Sequence, residues 1–183
     1  MEVLEAIRTR KSIRRYKTTP VDEKTLELVL EAARWAPSWT NSQCWRFIVV
    51  SDRDIKTELS YTLSDGNRGT DAIRSAPVVI VACAELGKLG YLKGKTPTDK
   101  GDYWYMFDVA LAMQNLALAA HSIGLGTVYV GSFDANRAAQ ILEVPQGFCV
   151  VVMTPLGYPD QEPEVKPRKE LSEIVLHDKF GTK

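Results

Sequence analysis

Histidine and cysteine are scarce in this chain of 183 residues, with two of the first and three of the second. Neither His121 nor His177 has a second His or Cys at metal-ligand spacing, and no H-E-x-x-H or G-x-S-x-G occurs. Zinc-hydrolase and serine-hydrolase chemistry are thereby excluded, and no metal is expected. Cys44, Cys83 and Cys149 are odd in number and widely spaced, which neither builds a disulfide framework nor makes a C-x-x-C pair, so they read as reduced thiols. Net charge is missing too. Lys and Arg (23) balance Asp and Glu (23), which leaves no overall field for nucleic acid or an anionic membrane, and any anion site must be local. The longest apolar stretch, Tyr103 to Leu125, is broken by Asp108, Gln114, Asn115, His121 and Ser122, too polar for a bilayer span. The N-terminus carries no apolar segment of the secretory type, so a cytoplasmic setting is expected.

With 45% hydrophobic and 25% charged residues, residues 1–183 have the composition and length of one globular domain. Val3, Leu4 and Ile7 suggest a short amphipathic helix before the basic run Arg8 to Lys17. Asp22 caps a second helix whose apolar face is Leu26, Val29, Leu30 and Ala33, ended by Pro37. Trp45–Val50 reads as a strand. Asp52 then caps a helix with Ile55, Leu59 and Leu63 on one face, and 65–69 is a loop. Pro77–Ala84 is apolar without alternation, as expected of a central strand covered by helices on both faces. The stretch 85–102, with its Gly and Lys and little periodicity, predicts a mobile surface loop or lid. A long helix from about Asp102 to Ile123 is apolar nearly all round and calls for more cover than one small subunit provides, as at a dimer interface. Beyond it come a Gly124 cap, a strand over Gly126–Gly131, an Asp134-capped helix to Leu142, a strand over Phe148–Met153, an extended tail over Glu162–Lys169 and a short helix near Lys169–Leu176.

Two segments could carry chemistry. Arg10-Lys11-Ser12-Ile13-Arg14-Arg15 sets four cations and a hydroxyl within six residues, enough to converge on a phosphate dianion, although such runs are also common as solvated surface. Trp35 to Trp45 places Ser, Thr, Asn and Gln among three Trp just before a strand, suited to a polar ring-shaped ligand or to a strand lead with Trp in the core. His121, inside the apolar helix, reads as a satisfied structural histidine. Gly124-Leu-Gly126 follows a helix and precedes a strand, the reverse of the dinucleotide-binding order, and reads as a helix cap.

Arg10-Lys11-Ser12-Ile13-Arg14, followed by Ala36-Pro37-Ser38-x-x-Asn41-x-Gln43-x-Trp45-x-Phe47, resembles the flavin-dependent nitroreductase family. Gly124 to Gly131, Phe133-Asp134, Pro155-Leu-Gly157-Tyr158-Pro159 and Lys166-Pro167-Arg168 continue the resemblance in order across nearly the whole chain. It implies an α+β fold, a three-layer α/β/α sandwich around a mixed, mainly antiparallel sheet, in an interlocked homodimer. It also implies FMN as cofactor with NAD(P)H as electron donor, and ping-pong reduction of a small electron-poor acceptor such as a nitroaromatic or quinone. Arg10, Lys11 and Ser12, with Lys166 and Arg168, would hold the FMN phosphate. Arg14 would lie near the pyrimidine edge, and Val130 and Gly131 would meet the ring, with the Gly131 backbone near N5. Pro37, Ser38, Trp39 and Asn41 would reach the flavin from the other subunit. The flavin carries the chemistry, so no catalytic side chain is required. Cys44 stands where the family usually has proline, and Trp39 is bulky where small residues are common. The contact from the loop around Asn67 to Arg74 does not align. Segment 85–102 is shorter than in large bacterial nitroreductases, suggesting a more open channel, with Trp104 and Tyr105 favoured as helix core. A different reaction on this fold, or a non-catalytic flavin-binding dimer, are the alternatives.

Overall fold

The computed structural model describes residues 1–92 and 96–181. Its helices are α1 (Val3–Thr9), α2 (Glu23–Arg34), α3 (Arg53–Ser60), α4 (Thr70–Ser75), α5 (Trp104–Ser122), α6 (Ala135–Ile141) and α7 (Leu171–Ile174). Its strands are β1 (Trp45–Val50), β2 (Val78–Glu85), β3 (Tyr91–Leu92), β4 (Thr96–Pro97), β5 (Gly126–Thr127) and β6 (Phe148–Gly157). The main sheet runs β1-β2-β6-β5, every neighbouring pair antiparallel. The sheet is therefore antiparallel rather than mixed, and the one parallel pairing among the described residues is an isolated bridge from Ser12 to Thr127 that ties the N-terminal segment to its far edge.

Strand β2 is apolar throughout because both of its faces are covered, and Val78 through Ala84 are all buried. Val78, Ile80, Ala82 and Ala84 pack with Val29 and Ala33 of α2 and with Ala112 and Leu116 of α5. Val79, Val81 and Cys83 pack on the other side with Leu59 of α3, Ile73 of α4 and Ala138 of α6. The alternation of a strand thus splits one apolar run between two cores. Three layers, helix on sheet on helix, follow. Burying each large aliphatic side chain contributes about 1.5–3 kcal/mol, so these two cores dominate the stability of the fold.

The Asp22, Asp52 and Asp134 caps form as expected, each carboxylate accepting from N–H groups of the following turn. Gly124 ends α5 in the left-handed region (φ 85°). Other expectations are corrected. The strand expected over Gly126–Gly131 is regular only at Gly126–Thr127 and resumes as one bridge from Val130 to Met153 in the same register. Between them β6 presents Pro155, which has no N–H to donate, so the ladder lapses there. Strand β6 runs four residues beyond Met153, to Gly157, because β2 pairs with it as far as Leu156. Helix α3 stops at Ser60, and Leu63 bridges Phe133 instead of extending the α3 face. Helix α4 was not foreseen, since six residues with only Ala72 and Ile73 buried leave almost no periodicity to read.

Segment 85–102 is not irregular throughout. Leu89 is fully buried, Tyr91–Leu92 pairs with Thr96–Pro97, and the indole N–H of Trp104 donates to Thr98 Oγ1 at 3.2 Å. Residues 93–95 of the expected lid lie outside the described residues. The apolar stripe of α1 faces away from the core. Val3, Leu4 and Ile7 are exposed and Ala6 is the buried position. Helix α5 is apolar on most sides, as read, with Ala112, Met113, Leu116 and Ala120 inward while Met106 and Phe107 stand exposed. No helix among the described residues is long and apolar enough to cross a membrane.

Candidate functional site

Beyond α1 the chain becomes extended and lies along β5. The Ile13 N–H donates to the Thr127 carbonyl at 2.9 Å, and the Tyr16 hydroxyl donates to the carbonyls of Ile13 and Pro155. Ile13 is buried in a small core with Tyr16, Ala72 and Ala76. It sits so close to β5 that a Cβ on Gly126 would fall 2.6 Å from its Cγ1. An anchored residue in an extended segment sends its neighbours outward, which leaves Arg14 exposed and Arg10 and Ser12 half-buried. Lys11, however, lines a cavity of about 420 Å³ with Ile13, His121, Pro159 and Glu162, and pairs with Glu162 at 3.8 Å. Lys11 is mostly covered, but Glu162 is 93% exposed, so the pair is screened by solvent and contributes little.

His121 bounds the same cavity. Its Nε2 lies within hydrogen-bond distance of Thr9 Oγ1 at 2.8 Å, and that hydroxyl also reaches the Glu5 carbonyl at 2.7 Å. Burial holds its pKa below the usual histidine value, and the charges of Arg10 and Lys11 push it further down. His121 is satisfied within the chain, as read from the sequence. The Arg10 charge is also felt at Tyr129, whose phenol burial pushes up.

Tyr129 leads to the second part of the site. Its hydroxyl meets the Met113 carbonyl at 3.0 Å and Gln114 Oε1 at 3.1 Å. A mostly apolar cleft of about 390 Å³ opens beside it, lined by Met106, Val109, Met113, Tyr129, Gly131 and Val152 among others. Val130 is buried and held to Met153 by two backbone bonds of 2.9 and 3.1 Å. Gly131, next to it, is exposed, and a Cβ placed there would meet no heavy atom within 4 Å. The protein's own packing therefore does not require a glycine at this position.

The loop that could not be aligned lies against this strand end. Asn67 donates from Nδ2 to the Ser132 carbonyl at 3.0 Å and accepts the Gly69 N–H at 2.8 Å. Arg74 is engaged elsewhere, with Ser60, Asp71 and the Tyr61 ring, while Arg68 is exposed. Sequence reasoning missed the role of Asn67 in tying this loop to the strand end. Its signal was an Asn two positions before a Gly, the pattern of a side chain closing its own turn.

The segment 37–43 is built differently. Trp39–Asn41 forms a single 3-10 turn, and Thr40, Asn41 and Gln43 all take left-handed φ values of 45°, 57° and 47°. Asn tolerates this region, but for Thr40 and Gln43 such geometry costs about 1–2 kcal/mol each. Several contacts hold it. The Trp39 N–H donates to both carboxylate oxygens of Asp108, at 3.1 and 2.9 Å, the Ser42 hydroxyl donates to the same carboxylate at 3.3 Å, and the Gln43 N–H donates to Ser38 Oγ at 3.0 Å. Asp108 is only 1% exposed. Burial pushes its carboxyl above the usual carboxylate range, and the Trp39 and Ser42 donors draw it partly back. The Trp39 ring lies on Trp104, centroids 4.7 Å apart, and Trp104 meets Phe107 edge-on at 5.6 Å. Trp39, Trp104 and Tyr105 all pack against the α2–α5 core, and Pro37 and Asn41 are exposed.

The structure thus brings Arg10, Ser12, Arg14, Val130 and Gly131 to one edge of the sheet. No hydrogen bond or ion pair among the described residues joins them to Pro37–Asn41. Lys166 and Arg168 lie in the exposed tail, where Arg168 donates to the Lys166 carbonyl at 2.8 Å rather than to the basic segment. A larger groove of about 750 Å³, between α2 and β1, is lined by Leu28, Arg34, Trp45 and Phe47 and carries none of the predicted site residues.

The family model described as the nitroreductase family matches residues 7–70 and 61–158. This chain belongs to that family. It is 31% identical to an NADH dehydrogenase of Thermus thermophilus, over 91% of each chain. Among solved structures, a nitroreductase family protein from Clostridium novyi NT shares 32% identity with a TM-score of 0.77, covering 100% of this chain and 96% of that one. An NADPH:FMN oxidoreductase from Vibrio harveyi, complexed with NAD+, superposes with a TM-score of 0.85 at 27% identity, covering 99% of this chain and 79% of that one.

Proposed function

We propose that this chain is an NAD(P)H-dependent FMN oxidoreductase that reduces a small electron-poor acceptor, such as a nitroaromatic or quinone, in two alternating half-reactions in the cytoplasm. The reading is carried by Gly131. Its open face, beside an apolar cleft and on the same sheet edge as Arg10, Ser12 and Arg14, fits a flat aromatic ring that ends in an anion. The relatives support it by name, one as an NADPH:FMN oxidoreductase.

When bound, FMN would supply the hydride transfer between donor and acceptor. The chain's own residues do the rest. Arg10 and Ser12 offer a guanidinium and a hydroxyl to the phosphate, joined by Lys166 and Arg168 once the tail is drawn in, and by Lys11 if it leaves Glu162. Arg14 places positive charge near the pyrimidine edge, where negative charge grows on reduction. The Val130–Gly131 backbone, pinned through Met153, gives the ring edge a close wall. Met113, Val109 and Val152 exclude water from that wall.

The functional unit is a homodimer in this reading, with Pro37, Ser38, Trp39 and Asn41 of each chain completing the site of the other. Val3, Leu4 and Ile7 of α1, Met106 and Phe107 of α5, and Leu171, Ile174 and Phe180 of the tail support it, since one chain leaves all of these apolar side chains exposed.

The test is an anaerobic absorbance spectrum of the purified, FMN-loaded protein before and after NADH and then NADPH. Yellow protein that bleaches and regains colour with a quinone is the expected result. Yellow protein that neither nucleotide bleaches would make it a flavin-binding protein instead, and folded protein that rejects FMN would end the reading.

A further inference from the structure

We propose that Asp108 is a positioning residue for the acceptor side of the site, a buried carboxylate on α5 that locks the 38–43 loop so that Trp39 and Asn41 face the flavin. The proposal rests on the reading that this loop completes the flavin site. Asp108 is the sole acidic side chain buried among the described residues, and every partner shown for it belongs to this loop. Its two oxygens share the Trp39 N–H, and one of them also accepts the Ser42 hydroxyl. Three loop residues are held in left-handed conformations, readily tolerated by Asn41 but not by Gln43 or the β-branched Thr40. A loop strained to this degree persists only where its surroundings over-determine it, and the carboxylate is the anchor supplied by another element.

The anchor reaches the rings as well. Trp39 is fixed at its backbone by Asp108 and at its indole by Trp104, which stands one helical turn before Asp108 on the same helix. Helix α5 therefore sets both the position and the tilt of Trp39, and through residue 39 the place of Asn41. A carboxylate buried here is not needed for the core, which packs with the small and aliphatic side chains that follow it on α5, Val109 and Ala112. Its cost of burial is offset by holding the loop.

The test compares Asp108→Ala, Asp108→Asn and Asp108→Ser with the wild type. The near-ultraviolet circular dichroism of the cofactor-free protein reports the Trp39–Trp104 pair without any turnover. FMN titration and steady-state kinetics report the site. The expected result is that Asp108→Ala loses the tryptophan signal, binds FMN at least tenfold more weakly and raises KM for the acceptor more than it lowers kcat. Asp108→Asn, which keeps one acceptor oxygen for the Trp39 N–H, should recover to within about threefold. If Asp108→Ala does not fold, Asp108→Ser carries the same comparison with a smaller void. Retention of the tryptophan signal in the Ala or Ser variant would show that the carboxylate does not hold the loop. Loss of the signal with FMN affinity and acceptor KM unchanged would show that the loop is held but lies outside the site, which would overturn the reading of 37–41 together with the proposal.

Discussion

Replacing Gly126 by alanine should damage together the fold and the basic segment proposed to hold the phosphate, and its cost can be worked from the structure. A Cβ at this position would lie 2.6 Å from Ile13 Cγ1, 2.7 Å from its Cβ and 2.8 Å from its Cγ2. Comfortable carbon contacts begin near 3.5 Å, so Ile13 or the strand must move by about 1 Å. Ile13 cannot swing aside by rotating a flexible tip, because its own Cβ is among the clashing atoms and its backbone N–H is bonded to Thr127 at 2.9 Å. Overpacking of this kind costs about 1–3 kcal/mol, and the displaced backbone bond adds about 1 kcal/mol. The sum, about 2–4 kcal/mol, corresponds to a fall in Tm of roughly 4–16 °C for a chain of this size. Since Ile13 carries Ser12 and Arg14 on either side, the variant that still folds should also bind FMN at least tenfold more weakly. Urea unfolding followed by far-ultraviolet circular dichroism, with FMN fluorescence titration alongside, measures both. Wild-type stability in the variant would refute the reasoning, because it would mean that the basic segment is not pinned by this contact.

Gly131→Ala should do the opposite to the fold, leaving stability unchanged or raised by up to about 1 kcal/mol, since the new methyl meets nothing and the unfolded chain loses freedom. FMN affinity or turnover should nevertheless fall, and unchanged flavin kinetics would remove Gly131 from the ring wall. Arg168→Ala should weaken FMN by about 1.5–3 kcal/mol, the value of a hydrogen bond to a charged group, and full FMN retention on gel filtration would argue against a phosphate contact. Cys44 and Cys83, both pushed to about 11 by burial, should resist a thiol-disulfide reagent at pH 8 in the native protein and react in guanidinium. His121 favours its neutral form in the fold, so its contribution to stability is full above its ordinary value of 6.5 and is lost as pH falls below it. A phosphate dianion beside Arg10 and Lys11 should raise the His121 pKa, and an imidazole NMR titration that does not move on adding FMN would place the phosphate elsewhere.

Much of the architecture was legible because local rules decide it. Asp22, Asp52 and Asp134 cap helices within three residues of themselves, Gly124 ends one by taking a positive φ, and the unbroken apolar run of β2 announces a strand covered on both faces. The candidate site residues were legible as types, because cations, hydroxyls and a glycine in a set order are a pattern along the chain. What the sequence could not reveal depends on where distant parts meet. The ladder lapse opposite Pro155 needs the β5–β6 register, and the outward face of α1 shows only once the core has been filled without it. Lys11 faces Glu162 because it lies two positions before Ile13, the residue that Gly126 admits, and so on the same face of the extended segment. Asp108 read as a polar interruption of an apolar helix. It became an anchor only when folding brought residues 39 and 42 to within 3.3 Å of its carboxylate. Sequence by itself determined what is settled by neighbours along the chain, namely caps, turns and alternation, whose energies act over a few residues. Tertiary structure alone decided which charges are buried, which glycines are tight and which are open, because those depend on contacts between segments that only the packed cores bring together.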